Sequence, residues 1–433
     1  MKRIDRKRLE ALQKVQNMAQ LLTWDLVIAA EELAEAIQSA KPSKDKSGKD
    51  TPGKEPYWDV PYAGKTVLRT LFSHVDVLAY TVRSIAVEYA QELGVQIPDE
   101  ERRKLQELRG TKDGKPVQGR PSPIESFEIG LRYFPALFGV ESRLDLSTEP
   151  AKAFLALAEI GKEITCPRTL EQLSGRGTNA LWHTGASWYL EQVSDLFRLC
   201  AQQVPDAPLG ETPALPEPVE NPASGATGAD EAAGASSLRD PDLLKRAFDV
   251  LKGDTARAMG VSTKMAGKDD LQATHGQFGL RNLLRTVLSE AEALIAIAAF
   301  FLSAATGRSE LAMSDEEVEE LHVRGDLDQK LLEITNLWSQ EIGHQKQKRT
   351  GGKKWEMFRQ ALKYRDRVAH PRSPKDLRVS VGETSIILGA QDWVRNLCEL
   401  LEIDPEKLPK SAPESEEKAI PNSTPDSPSL AGD

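Results

Sequence analysis

Three cysteines in 433 residues, at 166, 200 and 398, are too few and too scattered for a disulfide scaffold or a cysteine-rich zinc module. Their scarcity suits a reducing, cytoplasmic setting. Met1-Lys2-Arg3 is followed by Asp5, Arg6 and Lys7 rather than an apolar signal core. The most apolar run, Leu294 to Ala305, is shorter than a bilayer span and follows Glu290 and Glu292. A buried helix, with no membrane partner, is expected there. A basic coat is also missing: the net charge is −10, so a polyanion site must be a local patch. No HExxH, GxSxG, CxxC, P-loop or dinucleotide fingerprint occurs, so nothing calls for a metal or another cofactor.

What is present is helical periodicity. Leu9, Leu12, Val15, Met18 and Leu22 step by three and four residues and predict a helical arm over 1–40. Similar patterns predict helices at 65–94, 99–109, 124–138, 150–164, 178–203, 241–259, 278–306, 315–323, 327–346, 353–369 and 388–402. The 41–56 stretch reads as a solvated linker. Residues 204–240, rich in Pro, Ala, Gly and Glu, read as a flexible linker, and 405–433 as a disordered tail. The expected fold class is all-α.

The chain also resembles itself. Leu68-Arg69-Thr70 with Ser73 matches Leu284-Arg285-Thr286 with Ser289 at an offset of 216. Asp99-Glu100-Glu101 matches Asp315-Glu316-Glu317 at the same offset. Phe154, Pro167-Arg168 and Leu173 match Phe358, Pro371-Arg372 and Leu377 at 204, and Trp188 falls near Trp393. Blocks in one order with slowly drifting offsets predict two similar bundles, 64–203 and 276–404. Trp188, Trp355 and Trp393 are expected as core anchors.

The two copies differ at two polar positions. Trp355, Phe358, Leu362 and Arg365 lie on one helical line, so a buried Arg365 needs an anionic partner. Pro371 should end that helix near Ala369, freeing His370 to swing toward the Arg365 face. The first copy has Gly161 and Cys166 at these places. Charge divides in the same way. Residues 345–378 hold twelve Lys/Arg against three acids, whereas 141–173 hold four against six. The basic excess points to RNA or DNA phosphates through Lys353, Lys354, Arg359, Lys363, Arg367 and Arg372. Otherwise it is a solvated face balanced by acidic neighbours such as 315–320.

The segment Tyr364-Arg365-Asp366-Arg367-Val368-Ala369-His370-Pro371 resembles the motif of the HEPN superfamily, an Arg separated from a His by four to six residues. Arg69 with His74, and Arg176 with His183, also satisfy the bare spacing. Only Arg365 and His370 combine it with a helix end, a following Pro and basic surroundings. The resemblance implies two HEPN-like bundles, the first degenerate, and a metal-independent endoribonuclease. His370 would act as acid or base, Arg365 would stabilise the transition state, and Asp366 would orient either group. It further implies a toxin or antiviral defence role, an antitoxin or other protein partner, and a site built at a two-fold pairing, within the chain or between two chains. The alternative is a catalytically inert HEPN-like scaffold that binds nucleic acid or protein.

Overall fold

The computed structural model describes residues 2–40, 43–44, 50–51, 59–99, 123–141, 144–175, 177–208, 213–218, 237–268, 273–314, 317, 327–341, 352–369, 371 and 373–401. Helices dominate this set: α1 (Arg3–Ala40), α2 (Asp59–Leu93), α3 (Pro123–Ala136), α4 (Glu149–Thr165), α5 (Leu170–Ser174), α6 (Thr178–Ala201), α7 (Pro241–Lys268), α8 (Thr274–Thr306), α9 (Leu327–Glu341), α10 (Lys353–Ala369) and α11 (Val381–Leu400). Two short 3₁₀ turns, Ser309–Leu311 and Pro374–Leu377, add to them. The strand content described is one antiparallel pairing of Ser43–Lys44 with Asp50–Thr51. The fold is all-α. The helices anticipated at 99–109 and 315–323 lie almost wholly outside the described residues, as does the 405–433 tail.

The core divides into two hydrophobic clusters. One is built mainly from α1, α2, α3, α4 and α6, the other from α7 to α11. The arm at 1–40 is α1, which packs along α2 and buries Leu12, Val15, Leu26 and Leu33. Neighbour order recurs in the two halves. As α1 lies on α2, α2 on α3 and α4 on α6, so α7 lies on α8, α8 on α9 and α10 on α11. The segment after each Pro-Arg is also alike. Thr169 forms a capping box with Gln172 at the start of α5, and Ser373 forms one with Asp376 at Pro374–Leu377. A glycine marks each crossing of the later helix pair. A Cβ on Gly185 would stand 2.9 Å from the Phe154 backbone, and one on Gly389 would strike Met357.

The three tryptophans that the helical phase places in the core are buried. The rings of Trp355 and Trp393 meet at a tilt, 4.8 Å apart, between α10 and α11, and Trp188 packs on Phe154 at 5.3 Å. Helix α8 is long and apolar enough to cross a membrane by length and composition, and 83% of its apolar window is buried inside the fold. The run at 294–305 extends toward the N-terminus because Phe278, Leu280, Leu283, Leu284, Val287 and Leu288 continue it between the polar positions. Within 204–240, Leu238 is fully buried and its N–H donates to Arg168 O.

Candidate functional site

Helix α10 ends at Ala369, immediately before His370 and Pro371, where the missing proline N–H and the steric demand on its predecessor stop the helical ladder. Its apolar line of Trp355, Phe358, Ala361, Leu362 and Val368 faces the second cluster, and Arg365 shares that face. The side chain of Arg365 is only 10% exposed. Its Nη1 donates to Glu292 Oε1 on α8 at 3.1 Å, and the Glu292 side chain is 3% exposed. Glu292 is thus the anionic partner that a buried guanidinium requires. Nε and Nη2 of Arg365 both turn to Asp366 Oδ1, at 3.4 and 3.5 Å, and Asp366 is 56% exposed. His370 and Arg372 lie outside the described residues.

The other named cations fall on the outer side of α10. Lys353 and Lys363 are exposed. Lys354 pairs with Asp392 at 3.0 Å, and Arg359 with Asp328 at 3.1 Å. Arg367 pairs with Glu383 at 2.6 Å, donates to Arg378 O, and covers the Tyr364 ring. The balancing acids therefore come from α9 and α11; the 315–320 segment lies almost wholly outside the described residues. Arg359 and Lys354 are each about half exposed, so their pairs are weak and exchangeable for other anions. Of the alternative motif histidines, His74 is fully buried, its Nδ1 2.7 Å from Tyr189 OH and its Nε2 3.2 Å from Thr23 Oγ1. Thr23 spends its hydroxyl proton on Ala19 O. That makes Nε2 the donor to Thr23, and in the neutral ring that burial favours Nδ1 accepts from Tyr189. His183 is half-buried against Trp182.

Between the halves runs a polar seam that the sequence reading missed. Tyr62 OH accepts from Asn282 Nδ2 at 3.0 Å, and Arg69 Nε donates to Ser289 Oγ at 3.2 Å. The two contacts have the same sequence separation of 220, so α2 and α8 run side by side in one direction. Lys65 of α2 pairs with Asp254 of α7, and Arg69 with Glu290. In return, Arg281 of α8 donates to Asp25 of α1 at 2.8 Å, with Arg285 beside it at 3.3 Å. Lys65 and Arg69 stand 216 residues before Arg281 and Arg285, so each half lends two cations to acids of the other: the first pair to Asp254 and Glu290, the second to Asp25 alone. Apolar exchange accompanies this: Tyr62 enters the second cluster and Phe278, also 216 residues on, enters the first. Helix α10 touches α2 across the seam, and α4 touches α8.

Burial tunes the titrating groups here. It pushes His74 down to about 4 and Glu290, at the position 216 residues later, up to about 7. Burial also works against Asp25, but Arg281 and Arg285 more than offset it and hold that carboxyl below its ordinary range. Among the described residues, no group of three or more His, Cys, Asp or Glu is placed to hold a metal ion. Comparisons with family models, with curated proteins and with solved structures each returned no match.

Proposed function

We propose that the chain is a HEPN-like, metal-independent endoribonuclease whose site lies at the C-terminal end of α10. One observation carries this: the Arg365 guanidinium is fixed by buried Glu292 through Nη1, with its Nε/Nη2 edge turned to the exposed Asp366, five residues before His370 at the helix end. A guanidinium held in one orientation is suited to a phosphate, because the cost of ordering it is met in the fold. In the reaction the ribose 2′-OH attacks phosphorus and the bond to O5′ breaks. The products are a 2′,3′-cyclic phosphate and a 5′-hydroxyl. His370 takes the 2′ proton or delivers one to O5′, and Arg365 stabilises the charge on the equatorial oxygens. Exposed Lys353 and Lys363, with Lys354 and Arg359 after exchange of their surface pairs, would track the flanking phosphates.

The seam supports the two-fold part of the resemblance. Reciprocal ion pairs of α2 with α7 and of α8 with α1, and contacts of α10 with α2 and of α4 with α8, are what an intrachain pseudo-dimer would have. In that pseudo-dimer the first half contributes Gly161, against Phe72, where the second has Arg365. The test is incubation of purified protein with RNA in chelator. Cleavage lost in Arg365→Ala and in His370→Ala supports the assignment, and undiminished cleavage by both variants rejects this site.

A second function, the inert HEPN-like scaffold, is favoured by a specific observation. Arg365, Lys354, Arg359 and Arg367 are each engaged by an acid of the chain. A scaffold leaves RNA intact in the same assay.

A further inference from the structure

A guanidinium presents its donors along fixed edges, and which edges are occupied decides what Arg365 can still bind. Nη1 is committed to Glu292 inside the fold. The remaining side-on edge, Nε with Nη2, is the one that takes two oxygens of a phosphate in parallel at about 2.7–2.9 Å. Here both donors converge on a single oxygen, Asp366 Oδ1, at 3.4 and 3.5 Å, longer than an ordinary hydrogen bond. The loose fit has a local cause. Asp366 follows Arg365 directly, so the two side chains leave α10 about 100° apart and cannot meet squarely. The Asp366 side chain is 56% exposed and free to leave; Glu292 is sealed and is not.

We propose that Asp366 guards a phosphate site on the Nε/Nη2 edge of Arg365, and that a phosphodiester binds there by displacing the Asp366 carboxylate into solvent. The guard deepens the nuclease assignment above and rests on it only in taking RNA as the ligand. While Asp366 is in place, Arg365, Glu292 and Asp366 together carry one net negative charge, which repels a phosphate. Once the carboxylate swings out, the charges of Arg365 and Glu292 cancel locally and the fork is open. Asp366 thereby acts as a weak built-in competitor rather than as a group that helps the substrate.

The test measures binding of a fluorescent 2′-O-methyl RNA, which cannot be cut through its 2′ position, by anisotropy at fixed salt. It compares the full-length wild type, Asp366→Ala, and Glu399→Ala. Glu399 is an exposed acid on α11 whose removal changes net charge equally. Melting curves confirm that the variants fold. Asp366→Ala is expected to bind about tenfold tighter, and Glu399→Ala less than about threefold tighter, because a screened charge acts weakly at a distance. Asp366→Ala binding no better than Glu399→Ala, or more weakly than wild type, overturns the guard. The nuclease assignment is read separately, from cleavage of unmodified RNA. Tighter binding by Asp366→Ala without any cleavage keeps the guard and rejects the nuclease.

Discussion

Arg365 Nη1 lies 3.1 Å from Glu292 Oε1, with the two side chains 10% and 3% exposed, so α10 is tied to α8 by an ion pair almost sealed from water. Removing Glu292 leaves the buried Arg365 with only the loose, exposed Asp366 as counter-charge, and stranding a buried charge in this way costs more than the pair itself contributes. Glu292→Ala should therefore destabilise the protein by about 3–5 kcal/mol. Adding Arg365→Met should restore most of that loss. Chemical denaturation of the two variants and the wild type checks this. Equal stability of Glu292→Ala and wild type would mean that the pair is not closed in solution.

A second prediction concerns the seam. Asp25 is fully buried and answers two buried guanidiniums, Arg281 and Arg285, whereas Asp254 answers one buried cation, Lys65, with the more exposed Arg257 at 3.9 Å. Asp25→Ala should lower stability more than Asp254→Ala, because it leaves two buried cations without their shared carboxylate, while Arg257 beside Asp254 can turn to water. Thermal melting at one pH and salt decides it, and the reverse ranking contradicts the assignment of partners.

The equivalent positions His74 and Glu290 should give opposite pH dependences. His74 titrates at about 4 in the fold against 6.5 in the free side chain. The unfolded chain then holds the extra proton between those values, so stability contributed by neutral His74 falls as pH falls from about 6.5 to about 4. The full effect is about 3 kcal/mol at 1.4 kcal/mol per pH unit. Glu290 titrates at about 7 against 4.5, so the folded chain holds the proton and stability falls as pH rises from about 4.5 to about 7. Relative to wild type, Glu290→Gln should gain stability with rising pH over that window. His74→Asn should lose it, between about 4 and 6.5. Denaturation at pH 4.5, 5.5, 6.5 and 7.5 measures both slopes, and slopes of the same sign would refute the pairing.

Much of the helical order is legible in the sequence. The 353–369 helix ends where Pro371 demands, and the three- and four-residue spacing locates α1, α4 and α6 to within a few residues. Other boundaries are not so plain. Helix α11 starts at Val381 rather than 388. Gly382, Thr384 and Ser385 weaken its propensity, yet Ser380 and Glu383 form a capping box that signals the start. The need of Arg365 for an acid follows from its place on an apolar face. Glu292 could not be named from sequence, because it lies 73 residues away on a helix whose Glu residues read only as charges before an apolar run. The seam was hidden for a related reason. Leu68-Arg69-Thr70 and Leu284-Arg285-Thr286 signal a repeat, but the acids that receive their arginines come from other helices. The candidate site is thus half legible: the motif can be seen, while the groups that hold or cover Arg365 depend on packing.

The chemical identity of RNA ends tests the nuclease assignment most directly. Short RNA incubated with the protein in chelator should yield 5′ fragments ending in 2′,3′-cyclic phosphate and 3′ fragments beginning with 5′-hydroxyl, as read by mass spectrometry, while the all-2′-deoxy version stays intact. Uncut RNA, or fragments bearing 3′-hydroxyl and 5′-phosphate ends, would contradict it.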